Sequence, residues 1–328
     1  MSDETSELPR IAISLGDPCG IGPEVVAAAL ADPRVRAALR PRLYGDRGAF
    51  EAALTLRGLR SSLEEKSGLE LIEVTSLAAL ARAPGRPRDG GREAGAAALA
   101  YIDAAIDGVL SGACAGLCTA PVSKHRVALA HPGFQGHTEH LAARFGARVA
   151  MMMAGPRLRV TLATNHLRLS EVPLQLTPEK LLSVIRLTHE ELSLRFKLPN
   201  PRIAVCGLNP HAGDGGLFGD EEARLVSPGI ALARSEGIDA TGPHPADGLF
   251  PRARSGDCDA VIALYHDQGL IPAKLLDFRE TVNVTLGLPR PRTSPDHGTA
   301  DDLAGLGRAD AEPMISALLL CAALARAA

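Results

Sequence analysis

The sequence predicts an α/β protein built as two domains, and three observations lead there. Short apolar, strand-like runs alternate with helical patterns along the chain, the arrangement of a mainly parallel sheet covered by helices. At 328 residues the chain exceeds a comfortable single core, so two domains of roughly 150 residues are expected. Three histidines in distant segments each lie just past an apolar run: 158–162 leads to Thr164-Asn165-His166, 203–206 to Asn209-Pro210-His211, and 261–264 to Tyr265-His266-Asp267. Ligands in α/β proteins gather beyond the carboxyl ends of strands, and neutral imidazole is a common metal ligand. Converging, the three would make a divalent-metal site with coordination left open for substrate.

The elements follow in chain order. Residues 10–15 read as a short buried strand running into Gly16-Asp17-Pro18-Cys19-Gly20-Ile21-Gly22, after which Pro23-Glu24 opens an Ala-rich helix over 25–30, Pro in the first turn being a good start signal. Residues 57–91 mix polar residues, Pro and Gly, and no element is placed there. Residues 92–110 form a second Ala-rich helix, followed by a strand at 115–119. Gly136-His137-Thr138-Glu139 resembles a helix start with Thr138 as cap. The runs 149–153 and 157–164, joined through Gly155-Pro156, form a β-hairpin, so part of the sheet is antiparallel. Thr177-Pro178-Glu179 starts a long amphipathic helix to about 196, stopped by Pro199-Asn200-Pro201. Residues 309–327 form a final core helix.

Composition narrows the function classes. A hydrophobic fraction of 46% fills two interiors, and with aromatics at 3% and no Trp these are packed with Ala, Leu, Val and Ile. A net charge of −3 argues against a nucleic-acid partner. No run reaches the ~18 apolar residues of a membrane helix, and the polar, acidic residues 1–8 do not resemble a secretory signal. Six scattered cysteines without a CxxC pair read as reduced thiols. A cytoplasmic protein without membrane contact is expected.

Several motifs carry chemistry. In Gly16–Gly22 the glycines either bring the backbone close to an anionic ligand at a helix start or simply make a tight strand-to-helix turn; it is not a GxGxxG fingerprint. His137 and Thr138 either present donors to a phosphate or hydroxyl or are surface residues. In Asn209-Pro210-His211-Ala212-Gly213-Asp214 the Pro stiffens the chain around the His, and Asp214 either orients an imidazole or forms the turn. Tyr265-His266-Asp267-Gln268 with Lys274 places an imidazole, a carboxylate and an amine after a buried strand. Asp247 in Pro245-Ala246-Asp247 adds a carboxylate that joins the metal shell or holds a ligand His. Arg292 suits bidentate binding of phosphate or carboxylate, unless Arg290 and Arg292 form a solvated basic loop.

Taken together, Gly16-Asp17-Pro18…Gly20-Ile21-Gly22-Pro23-Glu24, Gly136-His137-Thr138-Glu139, Leu208-Asn209-Pro210-His211-Ala212-Gly213, Tyr265-His266-Asp267-Gln268-Gly269 and 282–289 (Val282-Asn283-Val284-Thr285 onward) resemble the 4-hydroxythreonine-4-phosphate dehydrogenase family of pyridoxal phosphate biosynthesis, in the same order over nearly the whole chain. The resemblance implies a two-domain α/β/α fold akin to the isocitrate and isopropylmalate dehydrogenases with an interdomain cleft. The expected domains are 1–135 plus 286–328, and 136–285 carrying the metal histidines. It also implies a homodimer with a shared active site. His166, His211 and His266 would bind one divalent ion (Zn, Mg or Co), His266 coming from the partner subunit. His137, Thr138, Lys274, Asn283 and Arg292 would contact substrate, and Lys274, Asp247 and Asp267 would be the catalytic acid–base candidates. The implied reaction oxidises a secondary alcohol with NAD or NADP to a β-keto acid that loses carbon dioxide to give 3-amino-2-oxopropyl phosphate. Cys19, Asp214, Gly248 and Arg290 depart from the family pattern, and the latter two bear on substrate or cofactor preference.

Two other substrates keep this chemistry: a phosphorylated four-carbon sugar acid (4-phospho-threonate or -erythronate) and a cis-dihydrodiol carboxylate. A metal-dependent hydrolase would also use the histidines, and a chelator-sensitive burst of NADH with substrate would exclude it; a non-catalytic metal-binding protein would have no use for the Arg, Lys and Asn set.

Overall fold

The computed structural model describes residues 8–61, 68–75 and 90–327. The acidic start of the chain and most of the unassigned stretch 57–91 lie outside them. Eleven strands run through the described residues: β1 (Arg10–Ser14), β2 (Arg40–Gly45), β3 (Glu70–Glu73), β4 (Gly116–Thr119), β5 (Ala150–Ala154), β6 (Arg159–Leu162), β7 (Ile203–Cys206), β8 (Ala240–His244), β9 (Ala260–Ala263), β10 (Val282–Leu286) and β11 (Arg292–Pro295). The chain divides into two compact units. Unit 2 is Arg148–Gly287, and unit 1 comprises Met1–Ala147 with Leu288–Arg326. The helix that begins at His137 belongs to unit 1.

Unit 1 carries parallel strands in the order β3-β2-β1-β4-β11. After β1 the chain builds outward to β2 and β3, then returns to place β4 on the other side of β1. Ile13 pairs with both Leu43 and Cys118. Both faces are covered, so β1 and β4 are continuously apolar instead of alternating. The Gly91–Leu110 helix buries Ala94, Ala98, Tyr101, Ile102, Ala105, Ile106 and Val109, a stripe at helical spacing. Burying each Ile contributes about 1.5–3 kcal/mol. Small residues let this helix approach closely: a Cβ at Gly95 would lie 1.8 Å from the Arg126 carbonyl oxygen. The Glu312–Ala327 helix buries Met314, Leu318 and Cys321.

Unit 2 has the order β10-β5-β6-β9-β7-β8. The 149–164 hairpin is present, β5 running antiparallel to β6 and also to β10, with Gly155 N–H donating to the Leu158 carbonyl at 2.9 Å across the turn. The remaining neighbours β6, β9, β7 and β8 are parallel. The Pro178–Leu194 helix starts where expected, Thr177 accepting from the Lys180 N–H at 3.1 Å. One detail differs. The His137–Phe145 helix is capped by Gly136 at φ 153°, with no side-chain cap, and Thr138 lies inside its first turn. The extended glycine turns the chain there, so no hydroxyl is recruited.

Candidate active site

Because β6, β9 and β7 are parallel neighbours, their carboxyl ends leave the same edge of unit 2, and His166, His266 and His211 follow those three exits. The exits are tied together. Thr164 donates its hydroxyl to the Leu264 carbonyl at 2.6 Å, and Ala163 N–H reaches the Ala263 carbonyl at 2.8 Å. Gln268 accepts from Leu264 N–H and donates to the Gly207 carbonyl, both at 2.7 Å, stitching the end of β9 to that of β7. His166 and His266 are thereby adjacent, with ring centres 5.4 Å apart. Two imidazoles on one tetrahedral ion, with metal–nitrogen bonds near 2 Å, place their ring centres about 5 Å apart. His266 Nδ1 donates to the Asp267 carboxylate at 2.7 Å, which fixes the tautomer and leaves Nε2 as the basic nitrogen. The pair therefore fits a divalent ion by spacing and by chemistry.

His211 lies on the tight 210–216 turn, where His211, Ala212 and Asp214 take left-handed backbone angles (φ 53°, 54° and 44°). Asp214 is the turn former of the two readings. His211 is exposed, its ring centre 6.4 Å from that of Phe218. Among the described residues of the single chain no three His, Cys, Asp or Glu side chains form a group able to hold a metal ion. His266, which the resemblance expects from a partner, is the neighbour of His166 within one chain.

Glu222 holds the His211 loop, and sequence reasoning did not single it out. Its carboxylate accepts from the N–H groups of Leu208 and Asn209 at 2.8 and 2.7 Å and from Asn209 Nδ2 at 3.0 Å. Burial works against its ionisation, but these donors outweigh it and hold the carboxyl below its ordinary value. Around the histidines, Asp267 and Lys274 lie seven residues apart on the His266–Asp277 helix, on one face and two turns apart; Asp267 is exposed and Lys274 half-buried. Asp247 stands exposed in the first turn of the Ala246–Arg254 helix. Asn283 on β10 donates to Met151 Sδ at 3.3 Å, while its buried Oδ1 has no hydrogen-bond partner among the described residues.

Unit 1 supplies a second, cationic group. Arg292 on β11 is 2% exposed and donates to Thr119 Oγ1 at 2.5 Å. It is not part of a solvated loop, and burial pulls its pKa down to about 10. His137 has a buried Nε2 without a hydrogen-bond partner among the described residues. Burial, then the charges of Arg292, His140 and Lys124, hold its pKa well below 6.5. A Cβ at Gly136 would lie 3.3 Å from Lys124 Nζ, so the cap glycine leaves room for that ammonium. The result is a neutral ring with an unmet polar atom beside cationic groups.

The Gly16–Gly22 motif resolves into structure and a cavity. Asp17 is fully buried, accepting from Cys19 N–H at 2.8 Å and from Arg126 Nη1 at 2.9 Å, while Arg126 Nη2 also reaches Asp301 at 2.7 Å. The carboxylate is an internal clamp and does not face a ligand. Beside it a cavity of about 270 Å³ is walled by Pro18, Pro23, Ala49, Ala52 and Leu56. Glu24 is held there by the N–H groups of Gly305 and Gly307.

Unit 2 thus carries an imidazole pair at one sheet edge, and unit 1 a buried guanidinium, on an α/β scaffold. Residues 37–321 match the family described as pyridoxal phosphate biosynthetic protein PdxA. A 4-hydroxythreonine-4-phosphate dehydrogenase of Geobacter metallireducens is 50% identical, covering 97% of this chain and 96% of that protein. A Symbiobacterium thermophilum relative bearing a D-threonate 4-phosphate dehydrogenase name is 39% identical over 97% of both. The crystal structure of 4-hydroxythreonine-4-phosphate dehydrogenase from Klebsiella pneumoniae is 36% identical, with TM-score 0.84 and 99% of each chain covered. A β-decarboxylating dehydrogenase from Thermococcus kodakarensis, at 14% identity and TM-score 0.51, covering 96% of this chain and 82% of that one, shares the fold alone. The chain belongs to the PdxA family and is a dehydrogenase.

Proposed function

We propose that the protein oxidises 4-phosphooxy-L-threonine at its secondary alcohol with NAD or NADP, giving a β-keto acid that decarboxylates to 3-amino-2-oxopropyl phosphate. The observation that carries this reading is the His166–His266 pair, spaced for one ion and with His266 oriented by Asp267. A bound nicotinamide would supply a hydride acceptor, and His166, His211 and His266 would hold a divalent ion that would supply Lewis-acid chemistry.

The chain's own residues do the rest. In unit 1, Arg292, His137 and Thr138 bind the phosphate, the buried guanidinium giving a fixed charge that water does not screen. In unit 2, Asn283 directs its unmet amide oxygen to a donor on the substrate. The base is drawn from Lys274, Asp267 and Asp247, which take the alcohol proton as the carbinol hydrogen leaves as hydride. When the carbon–carbon bond to the carboxylate then breaks, carbon dioxide leaves, and the electron pair left behind takes a proton that Lys274 is placed to return. The apolar cavity beside Asp17, at the carboxyl ends of β1 and β2, is assigned to a flat ring of the cofactor.

We infer a homodimer. Ile271, Leu275 and Phe278 are 63%, 83% and 68% exposed and share one stripe of the helix that His266 opens. A second copy seated on that stripe would supply the partner's share of the three-imidazole set that the family resemblance implies. No helix of the described residues is long and apolar enough to cross a membrane, and the six cysteines are free, which supports a cytoplasmic setting.

The test is one assay series. 4-Phosphooxy-L-threonine and D-threonate 4-phosphate are each supplied with NAD or NADP, with and without a chelator, while reduced nucleotide and carbon dioxide are measured. Turnover of the first substrate, lost on chelation and restored by one divalent ion, is expected. Faster turnover of the threonate would move the substrate to the sugar acid, and chelator-insensitive turnover would sink the metal role.

A further inference from the structure

The opposite end of the unit 2 sheet carries a cleft that the reaction does not use. Arg157 and Arg159 at the start of β6, Arg202 before β7, and Arg254 closing the Ala246–Arg254 helix line a cavity of about 350 Å³ with Cys258 and Asp259. Four arginines and one aspartate thus line the cavity. Two already have acidic partners. Arg157 donates to Asp277 at 2.7 Å, and Arg202 to Asp259 with its closest side-chain contact at 3.1 Å.

The other two do not. Arg159 is half-buried; its Nη1 reaches only the Asp259 main-chain carbonyl, at 3.4 Å, and its guanidinium lies 5.2 Å from the centre of the Phe196 ring. Burial lowers its pKa while the Asp259 charge raises it. Arg254 is exposed, and no carboxylate among the described residues pairs with it. A guanidinium stays charged even where desolvated, so the lining, with four arginines and one aspartate, carries an excess of positive charge that a bound anion would offset. The planar forks fit phosphate or carboxylate oxygens in bidentate fashion. The volume lies near the lower bound of small-molecule sites, which excludes a polymer.

The location separates this cleft from the histidines. β6, β7 and β9 are each four residues long, so the two ends lie about 13 Å apart. We propose that this arginine cleft binds a small phosphate-bearing anion, at a site distinct from the one that holds the substrate.

The experiment is calorimetric titration of the full chain with inorganic phosphate at low ionic strength, with citrate as a second probe. Arg254→Gln is at an exposed helix end and serves as the variant least able to disturb the fold, checked by its melting temperature without ligand. The Arg159→Gln/Arg254→Gln pair is expected to weaken one phosphate-binding event by about tenfold or more, while Arg292→Lys leaves that event in place. Unchanged binding in the double variant, or loss of all binding in Arg292→Lys, overturns the proposal. Citrate binding as tightly as phosphate overturns the phosphate assignment.

Discussion

His137 shows how burial tunes a single side chain. Its ring sits among Arg292, His140 and Lys124 with a buried, unpaired Nε2, and burial above all keeps it neutral. In the unfolded chain this imidazole takes up a proton as pH falls through about 6.5. The folded ring refuses it, so its contribution is intact above that value and is lost progressively as the pH falls toward the lower folded pKa. Imidazole NMR at pH 6 is therefore expected to find His137 neutral in the ligand-free protein, and protonated once phosphate is bound beside it. A ring titrating near 6.5 without ligand would contradict the burial. At this scale the strand-exit histidines were readable, because a His after a buried run has a fixed address. Glu222 was not: it acts on residues more than ten positions upstream, through backbone N–H groups that no local pattern announces.

The loop around His211 is the element whose construction matters most. Gly213 holds φ 83°, and a Cβ there would lie 2.7 Å from Glu222 Oε2, so both the backbone and the carboxylate resist a side chain. Gly213→Ala is expected to cost about 1–2 kcal/mol, lowering the melting temperature by roughly 2–5 °C. Turnover should fall further than stability, because the displaced turn carries His211. A variant matching the parent in both melting and turnover would show that the turn is not held this way. The Ala-rich helices and the 149–164 hairpin were evident from their periodicity and from Gly155-Pro156. β2 and β8 were not, because Arg40-Pro41-Arg42 and Thr241-Gly242-Pro243 break the usual strand composition. β8 tolerates its Gly and Pro as the last strand in the order, with one edge unpaired.

For the whole molecule the decisive surface is the Ile271–Leu275–Phe278 stripe. An 83% exposed Leu275 gains nothing in an isolated chain, whereas a charge placed in a buried subunit contact is expensive. Leu275→Glu is expected to convert a dimer to monomers in sedimentation velocity and to abolish turnover with them. A parent protein that sediments as a monomer would remove the need for a partner's ligand. The class of fold followed from alternating strand and helix patterns. The pairing of His166 with His266 did not, since it depends on which strands become neighbours, a long-range choice that no local segment records.

The adjacency of β6 and β9 has one more consequence. Neighbouring strands lie about 4.8 Å apart, close to the 5.4 Å between the two rings, so the hydrogen-bond ladder itself sets the gauge between the two imidazoles. That gauge changes only if β6 and β9 are parted, whereas Arg292 on a strand and His137 on a helix of unit 1 share no ladder that fixes their separation.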